Sequence, residues 1–225
     1  MASEGALSGN DRWWLAVAIA AVFHGIGLVG MVFFPEIDMV RLTPVNFLVS
    51  LALLLWVRRD AALLLSGLLL FAIGFGSEVV GVNTGWLFGD YGYGDTLGME
   101  WLEVPLLIGV NWWLVVLGAH YWAAVLFRSP LSGRGRIFMV SATGATLATA
   151  FDFLMEPVAV HLGYWSWADG IIPLYNYACW WVVGFVMMLI VIRFLPFRKE
   201  DAYPGYLLLI QSVFFLSLRV LLVEF

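Results

Sequence analysis

Charge is scarce in this chain. Asp, Glu, Lys and Arg make up 12% of its 225 residues, about half their share in an ordinary soluble domain, too few to build a water-facing surface. Cys179 is the only cysteine, which excludes an internal disulfide and any cysteine-cluster metal site. Three histidines are too few for the histidine-rich di-iron centre of a membrane hydroxylase or desaturase. Lys199 is the only lysine and lies between apolar runs, so no span offers the amine for a retinal Schiff base. No basic tract or basic and aromatic stripe exists to hold nucleic acid. Neither a Gly-x-Ser-Gly nucleophile nor a His-Glu-x-x-His zinc motif occurs. A prenyltransferase would need a second acidic cluster and nearby cations for magnesium pyrophosphate, and the chain has neither.

What abounds is hydrocarbon, with 63% of residues hydrophobic. Seven runs approach the roughly 20 residues that a spanning helix needs: Trp13–Phe34, Pro44–Val57, Ala61–Ser77, Val104–Phe127, Ile137–Val160, Tyr177–Leu195 and Gly205–Val223. They predict an all-α, polytopic membrane helical bundle. With no long polar linker to divide it, residues 1–225 read as a single integral membrane domain. The second run is short, and Arg58-Arg59-Asp60 folds it into a tight hairpin with the third. The segment Met1–Arg12 is acidic and polar, and no small-residue cleavage site follows the first run, which therefore reads as a retained helix.

Seven spans sort the loops onto two sides. One side collects nine cations: Arg12, Arg58, Arg59, Arg128, Arg134, Arg136, Arg193, Arg198 and Lys199. The other has Arg41 alone, and Arg219 falls inside the last span. Cationic loops stay in the cytoplasm, so the nine-cation side and the N-terminus are expected to face it, with the chain in the cell (inner or plasma) membrane. The opposite side carries two long connections, Glu78–Glu103 and His161–Asn176, rich in Gly, Trp, Tyr and acid and free of Lys and Arg. Loops of that length between packed helices tend to be functional. In each, an acid-terminated helix leads to an aromatic loop and then to a helix opening with Pro and Asn. Parallel repeats of spans three–four and five–six, with a site between them, are one reading of this pattern, although the spacings in the two regions differ by several residues.

Asp152 and Glu156 are the sharpest chemical signal. At i and i+4 in an apolar run they share one helical face, and Asp152 lies roughly 22 Å along the helix from Ile137, in the outer third of the bilayer. Two carboxyls so close in that setting do not both ionise, and one keeps its proton, as a general acid must. The plainer alternative has Glu156 reaching the headgroups and Asp152 bonded to a neighbouring helix. Glu78 ends the third run at similar depth and is expected to face the pair across the bundle. Asn111 and Asn176 either bridge helices or position water and a carboxyl. Asp90, Asp95, Glu100 and Glu103 read as solvated loop acids, and His24, His120 and His161 as packing residues. Trp86, Tyr91, Tyr93, Trp101, Trp112, Trp165, Trp167 and Trp180 suit an interfacial belt. Yet the interleaved Gly85, Gly89, Gly92, Gly94 and Gly98 suggest a tightly folded loop, and a pocket of aromatic faces stabilises a cation.

Glu78-x-x-Gly81-x-x-x-Gly85, Phe88-Gly89-x-Tyr91-x-Tyr93, Leu97-Gly98 and Val104-Pro105 resemble the carotenoid biosynthesis membrane-protein family. So do Asp152-x-x-x-Glu156-Pro157, Gly163-x-Trp165-x-Trp167 and Pro173-x-x-Asn176-x-x-x-Trp180. The resemblance spans the third to sixth runs. It implies a membrane carotenoid hydratase that uses no cofactor and no metal. Such an enzyme adds water to the terminal double bond of an acyclic end of gamma-carotene, lycopene or bisanhydrobacterioruberin type and leaves a tertiary hydroxyl. Carried onto this chain, it implies Asp152, Glu156 and Glu78 as catalytic residues. Asp152 or Glu156 would protonate the double bond, and Glu78 or an Asn would orient the water. Tyr91, Tyr93, Asn111, Trp112, Trp165, Trp167, Asn176 and Trp180 would bind substrate. The implied partners are a carotenoid drawn from the bilayer, membrane lipids and other enzymes of the carotenoid pathway. Two alternatives stay open: a membrane lycopene cyclase, which captures the same cation intramolecularly, and a non-enzymatic protein that binds or transports carotenoid or lipid.

Overall fold

A computed structural model describes residues 9–127 and 133–223. Arg128, counted above among the nine cations, lies outside the described residues, as does most of the acidic N-terminal segment. The fold is all-α and polytopic, and seven helices are long and apolar enough to cross a membrane. They are α1 (Gly9–Phe33), α2 (Thr43–Val57), α3 (Ala61–Thr84), α4 (Leu106–Leu126), α5 (Gly133–His161), α6 (Leu174–Phe194) and α7 (Tyr203–Leu218). A 3-10 turn, Met39–Leu42, extends α2 to 19 residues, so the second span is not short. One π-helical turn, Arg219–Val223, continues α7.

The helices alternate in direction, so the connections before α2, α4 and α6 share one end of the bundle. Those before α3 and α7, which carry Arg58, Arg59, Arg198 and Lys199, share the other with the first turn of α5, which carries Arg134 and Arg136. At the arginine-rich end Asp60 caps α3, accepting the Leu63 N–H at 2.9 Å, and accepts Arg58 Nε at 2.9 Å. Buried Arg58 also pairs with Asp201, and Arg198 reaches Asp60 at 3.2 Å. This clamp ties the expected α2–α3 hairpin to the α6–α7 connection. Burial works against ionising Asp60, but the Leu63 N–H and the two arginines outweigh it and hold its carboxyl below the usual range.

α4 is the axis. Its apolar stretch is 83% buried, against 17–39% for the others, because α2, α3, α5, α6 and α7 all pack on it. The backbone of α3 lies directly on its indoles: a Cβ at Gly67 would stand 2.1 Å from the Trp113 ring, and one at Gly74 would stand 2.5 Å from Trp112. That approach brings Trp112 within reach of α3 side chains.

The expected end of the third span needs correction. α3 runs not to Ser77 but to Thr84, and Glu78 is an interior residue of it. Near its end, Asn83 and Thr84 bond back along the helix: Asn83 Nδ2 donates to the Val79 carbonyl at 2.9 Å and Thr84 to that of Val80. Gly85, at φ +66°, then ends the helix in the left-handed conformation that glycine adopts without strain.

The connections at the outer end fold into short strands. β1 (Tyr91–Tyr93) pairs antiparallel with β4 (Trp165–Trp167), Tyr91 opposite Trp167 and Tyr93 opposite Trp165. β2 (Glu100–Trp101) pairs with β3 (Val104–Pro105) just before α4. The β1–β4 ribbon therefore joins the α3–α4 and α5–α6 halves that read as repeats.

Candidate functional site

Alternation explains the ribbon's chemistry. In Tyr91-Gly92-Tyr93 and Trp165-Ser166-Trp167 the aromatics occupy every second position, so all four project from one face. That face covers the outer ends of α3 and α5. Glycine at position 81 permits the fit, since a Cβ there would sit 2.7 Å from the Tyr91 hydroxyl and 2.9 Å from the Phe88 ring.

Under the ribbon lie three buried carboxyls, each from a different place in the helical pattern. Glu78 of α3 and Asp152 and Glu156 of α5 are 5%, 0% and 3% exposed. Glu78 accepts three hydrogen bonds: Tyr91 and Tyr93 hydroxyls donate to Oε2, the latter at 2.7 Å, and Trp112 Nε1 donates to Oε1 at 2.9 Å. Glu156 also accepts three. Trp165 and Trp167 Nε1 donate to Oε2 at 3.0 and 3.1 Å, and Asn176 Nδ2 reaches Oε1 at 3.4 Å. Asp152 accepts one, from Asn176 Nδ2 to Oδ2 at 2.9 Å, and its Oδ1 is buried with no partner. Burial, then the adjoining Glu78 charge, push the Tyr91 and Tyr93 phenols well up, so both stay protonated and donate.

Behind the carboxyls Trp112 stacks on Trp180, ring centroids 3.8 Å apart at 18°. Tyr91 lies 5.0 Å from Trp167, and Tyr93 lies 6.0 Å from Trp165. The eleven residues expected to act on or bind substrate thus gather at one place, while Trp86 and Trp101 stand exposed away from it. Ten line a single cavity, and Trp112 bonds Glu78 and stacks on Trp180 behind it. The four loop acids Asp90, Asp95, Glu100 and Glu103 are exposed and take no part. Among the described residues no group of three or more His, Cys, Asp and Glu is placed to hold a metal ion.

The cavity measures about 20 Å³ as the space open to the centre of a water molecule, enough for one water. Beside it, between α1, α2 and α7, is a cleft of about 200 Å³ on the same measure. Asn111 and Met155 line both, so the two spaces share a wall. Sequence reasoning missed this cleft and the cavity residues Phe88, Ile108 and Met155. A signal for the cleft existed: Thr43, Asn46 and Ser50 stand three and four apart in an apolar run, and Gln211 interrupts another. His24, read as a packing residue, lines the cleft beside them.

The profile of the family described as "Carotenoid biosynthesis protein" matches residues 39–224. The bisanhydrobacterioruberin hydratase of Haloarcula japonica is 35% identical over 140 residues, covering 60% of this chain and 45% of that protein. The chain thus matches less than half the length of this relative. No solved structure matches.

Proposed function

This chain belongs to the carotenoid biosynthesis protein family, and on that premise we propose that it hydrates the terminal double bond of an acyclic carotenoid end. The observation that carries this reading is the unequal supply of hydrogen-bond donors to the three carboxyls. Indole and amide N–H groups only donate, so every carboxyl oxygen facing one is an acceptor without a proton there. Both oxygens of Glu156 and Oε1 of Glu78 are so engaged, and Oε2 of Glu78 faces two phenols. Asp152 Oδ1 is the one carboxyl oxygen of the cluster with no partner. The proton therefore sits on Asp152, beside a cavity of one-water size, and Asp152 is the general acid.

The reaction follows from that placement. The isopropylidene end enters the cavity, displacing side chains at its lipid-side wall, and the Asp152 proton adds to the terminal double bond. A tertiary carbocation remains, flanked by the π faces of Tyr91, Tyr93, Trp165, Trp167 and Trp180. The water attacks the cation, and its released proton passes to Glu156. Glu156, one helical turn from Asp152 on the same face, returns that proton to it through the next water to enter, while Asn176, donating to both carboxyls, holds them in place. Alkene and water become a tertiary alcohol, with nothing oxidised or reduced. Glu78, fixed by three donors, holds the water from the opposite wall. The relative's name is that of a hydratase, which agrees with this chemistry. The substrate is a carotenoid dissolved in the bilayer, and the arginine-rich end lies in the cytoplasm.

Pigments from lycopene- or gamma-carotene-producing cells, with and without the chain, supply the test. A more polar product heavier by one water is expected, and Asp152→Asn should abolish it while the protein still inserts. An isomeric ring-containing product would replace hydration by cyclisation. Near-normal hydration by Asp152→Asn would remove Asp152 from the mechanism.

A further inference from the structure

The cleft between α1, α2 and α7 has no part in the acid chemistry above, yet it abuts the acid cavity along Asn111 and Met155. Its two walls differ in character. Phe23, Ile26 and Val45 stand exposed at its mouth, where lipid lies, and Phe214 lines it from α7. The other wall is polar. Thr43, Asn46 and Ser50 form one stripe on α2 by helical spacing, with buried His24 and Gln211 alongside from α1 and α7.

The hydrogen bonds orient this polar wall. His24 Nδ1 lies 2.8 Å from the Ala20 carbonyl, which only accepts, so Nδ1 carries the proton. In the neutral ring Nε2 is then an acceptor and takes Asn46 Nδ2 at 3.3 Å. Asn46 thereby turns its Oδ1 away from His24, and that oxygen is buried with no partner. A hydrocarbon seated against it leaves the acceptor unsatisfied, which is unfavourable. A ligand with one hydroxyl satisfies it.

We propose that this cleft binds the end of an acyclic isoprenoid chain carrying a tertiary alcohol, whose hydroxyl donates to Asn46 Oδ1. The inference rests on the hydration reading for one source of that alcohol, the enzyme's own product moving back from the acid cavity. The other source is a substrate that already bears a hydroxyl near its reacting end. Both present the same group to the same oxygen.

Direct binding tests the cleft apart from catalysis. The full chain in lipid nanodiscs is titrated with radiolabelled geranyllinalool, an acyclic tertiary alcohol, and with the matching hydrocarbon that lacks the hydroxyl. One net hydrogen bond makes the alcohol about threefold to tenfold tighter. Asn46→Leu brings the ratio to one, and Glu156→Gln leaves it intact. Asn46→Ala, which removes the same oxygen, stands in if Asn46→Leu fails to insert. Ile26→Trp at the mouth weakens both ligands alike. Equal binding by the natural chain, or an undiminished ratio in Asn46→Leu, overturns the proposal.

Pigment conversion then separates the sources. Added hydrated carotenoid slows its own formation if the product occupies the cleft. A hydroxylated acyclic carotenoid is converted faster than its hydrocarbon counterpart if the substrate does. An intact binding ratio without any conversion would sink the hydration reading and leave the cleft standing.

Discussion

Replacing Gly81 by alanine tests how Glu78 is held. The new Cβ would stand 2.7 Å from the Tyr91 hydroxyl, 2.9 Å from Phe88 Cδ2 and 3.1 Å from the Leu87 carbonyl. The easiest relief is for Tyr91 to swing away, which takes one of three donors from Glu78. A hydrogen bond to a charged group contributes about 1.5–3 kcal/mol, and alanine's helix preference over glycine returns about 0.8–1 kcal/mol. The net loss for Gly81→Ala is then about 0.5–2 kcal/mol. Tyr91→Phe deletes the same bond and costs about 1.5–3 kcal/mol. It also deletes the nearest of the three atoms that the alanine meets. The double variant should therefore lose less than the sum of the two single losses, a coupling of about 0.5–2 kcal/mol. Reversible unfolding in detergent, followed by tryptophan fluorescence, reads all four corners of the cycle. Simple addition of the two single losses would refute the account, because it would mean that alanine is accommodated without disturbing Tyr91.

Trp165→Phe and Trp167→Phe each remove one of the two N–H donors to Glu156 Oε2, and each should slow hydration about tenfold. The double variant should lose more than the product of the two, measured as hydrated pigment formed per unit of inserted protein. At the arginine-rich end, Asp60→Asn keeps an N-cap while losing the ion pairs with Arg58 and Arg198, a loss of about 0.5–1 kcal/mol at this half-exposed site. The Asp60 carboxyl is held below its ordinary value of 3.8 in the fold, so its contribution is full above that value and vanishes as pH falls through the lower, folded one. The stability gap between the natural chain and Asp60→Asn, measured by thermal unfolding, should accordingly close below about pH 4 and stay constant above pH 5.

The spans were readable because apolar length and cation placement are local properties. Where reading failed, the partners lay far away in sequence. Glu78 looked like a helix end, since hydropathy counts its charge and not the donors supplied by Tyr91, Tyr93 and Trp112. Asp152 and Glu156 stood out as acids in an apolar run, but nothing local could rank them. Their unequal hydrogen bonding comes from Asn176 and from two tryptophans of β4, the strand that pairs with β1. Tyr-Gly-Tyr and Trp-Ser-Trp each showed a period of two, and the missing fact was that each is the other's partner. Asn46 and Gln211 passed unnoticed because a single amide barely lowers the average of an apolar helix, although its position on one face carries the information.

The buried axis helix also bears on how the protein is made. Helices enter the bilayer in order of synthesis, so α4 arrives when only α2 and α3 of its five neighbours are in place, and α5, α6 and α7 reach it later. For that interval Asn111, which ends beside Met155 of α5 and Gln211 of α7, and His120, which ends beside Phe197 of the α6–α7 connection, lie open to lipid tails. The last three helices therefore act as the closing staves of a barrel around a core already standing. Removing α7 would strip the cover from α4 rather than trim an edge, leaving an inserted chain with an exposed seam on which membrane quality control or a second copy can act.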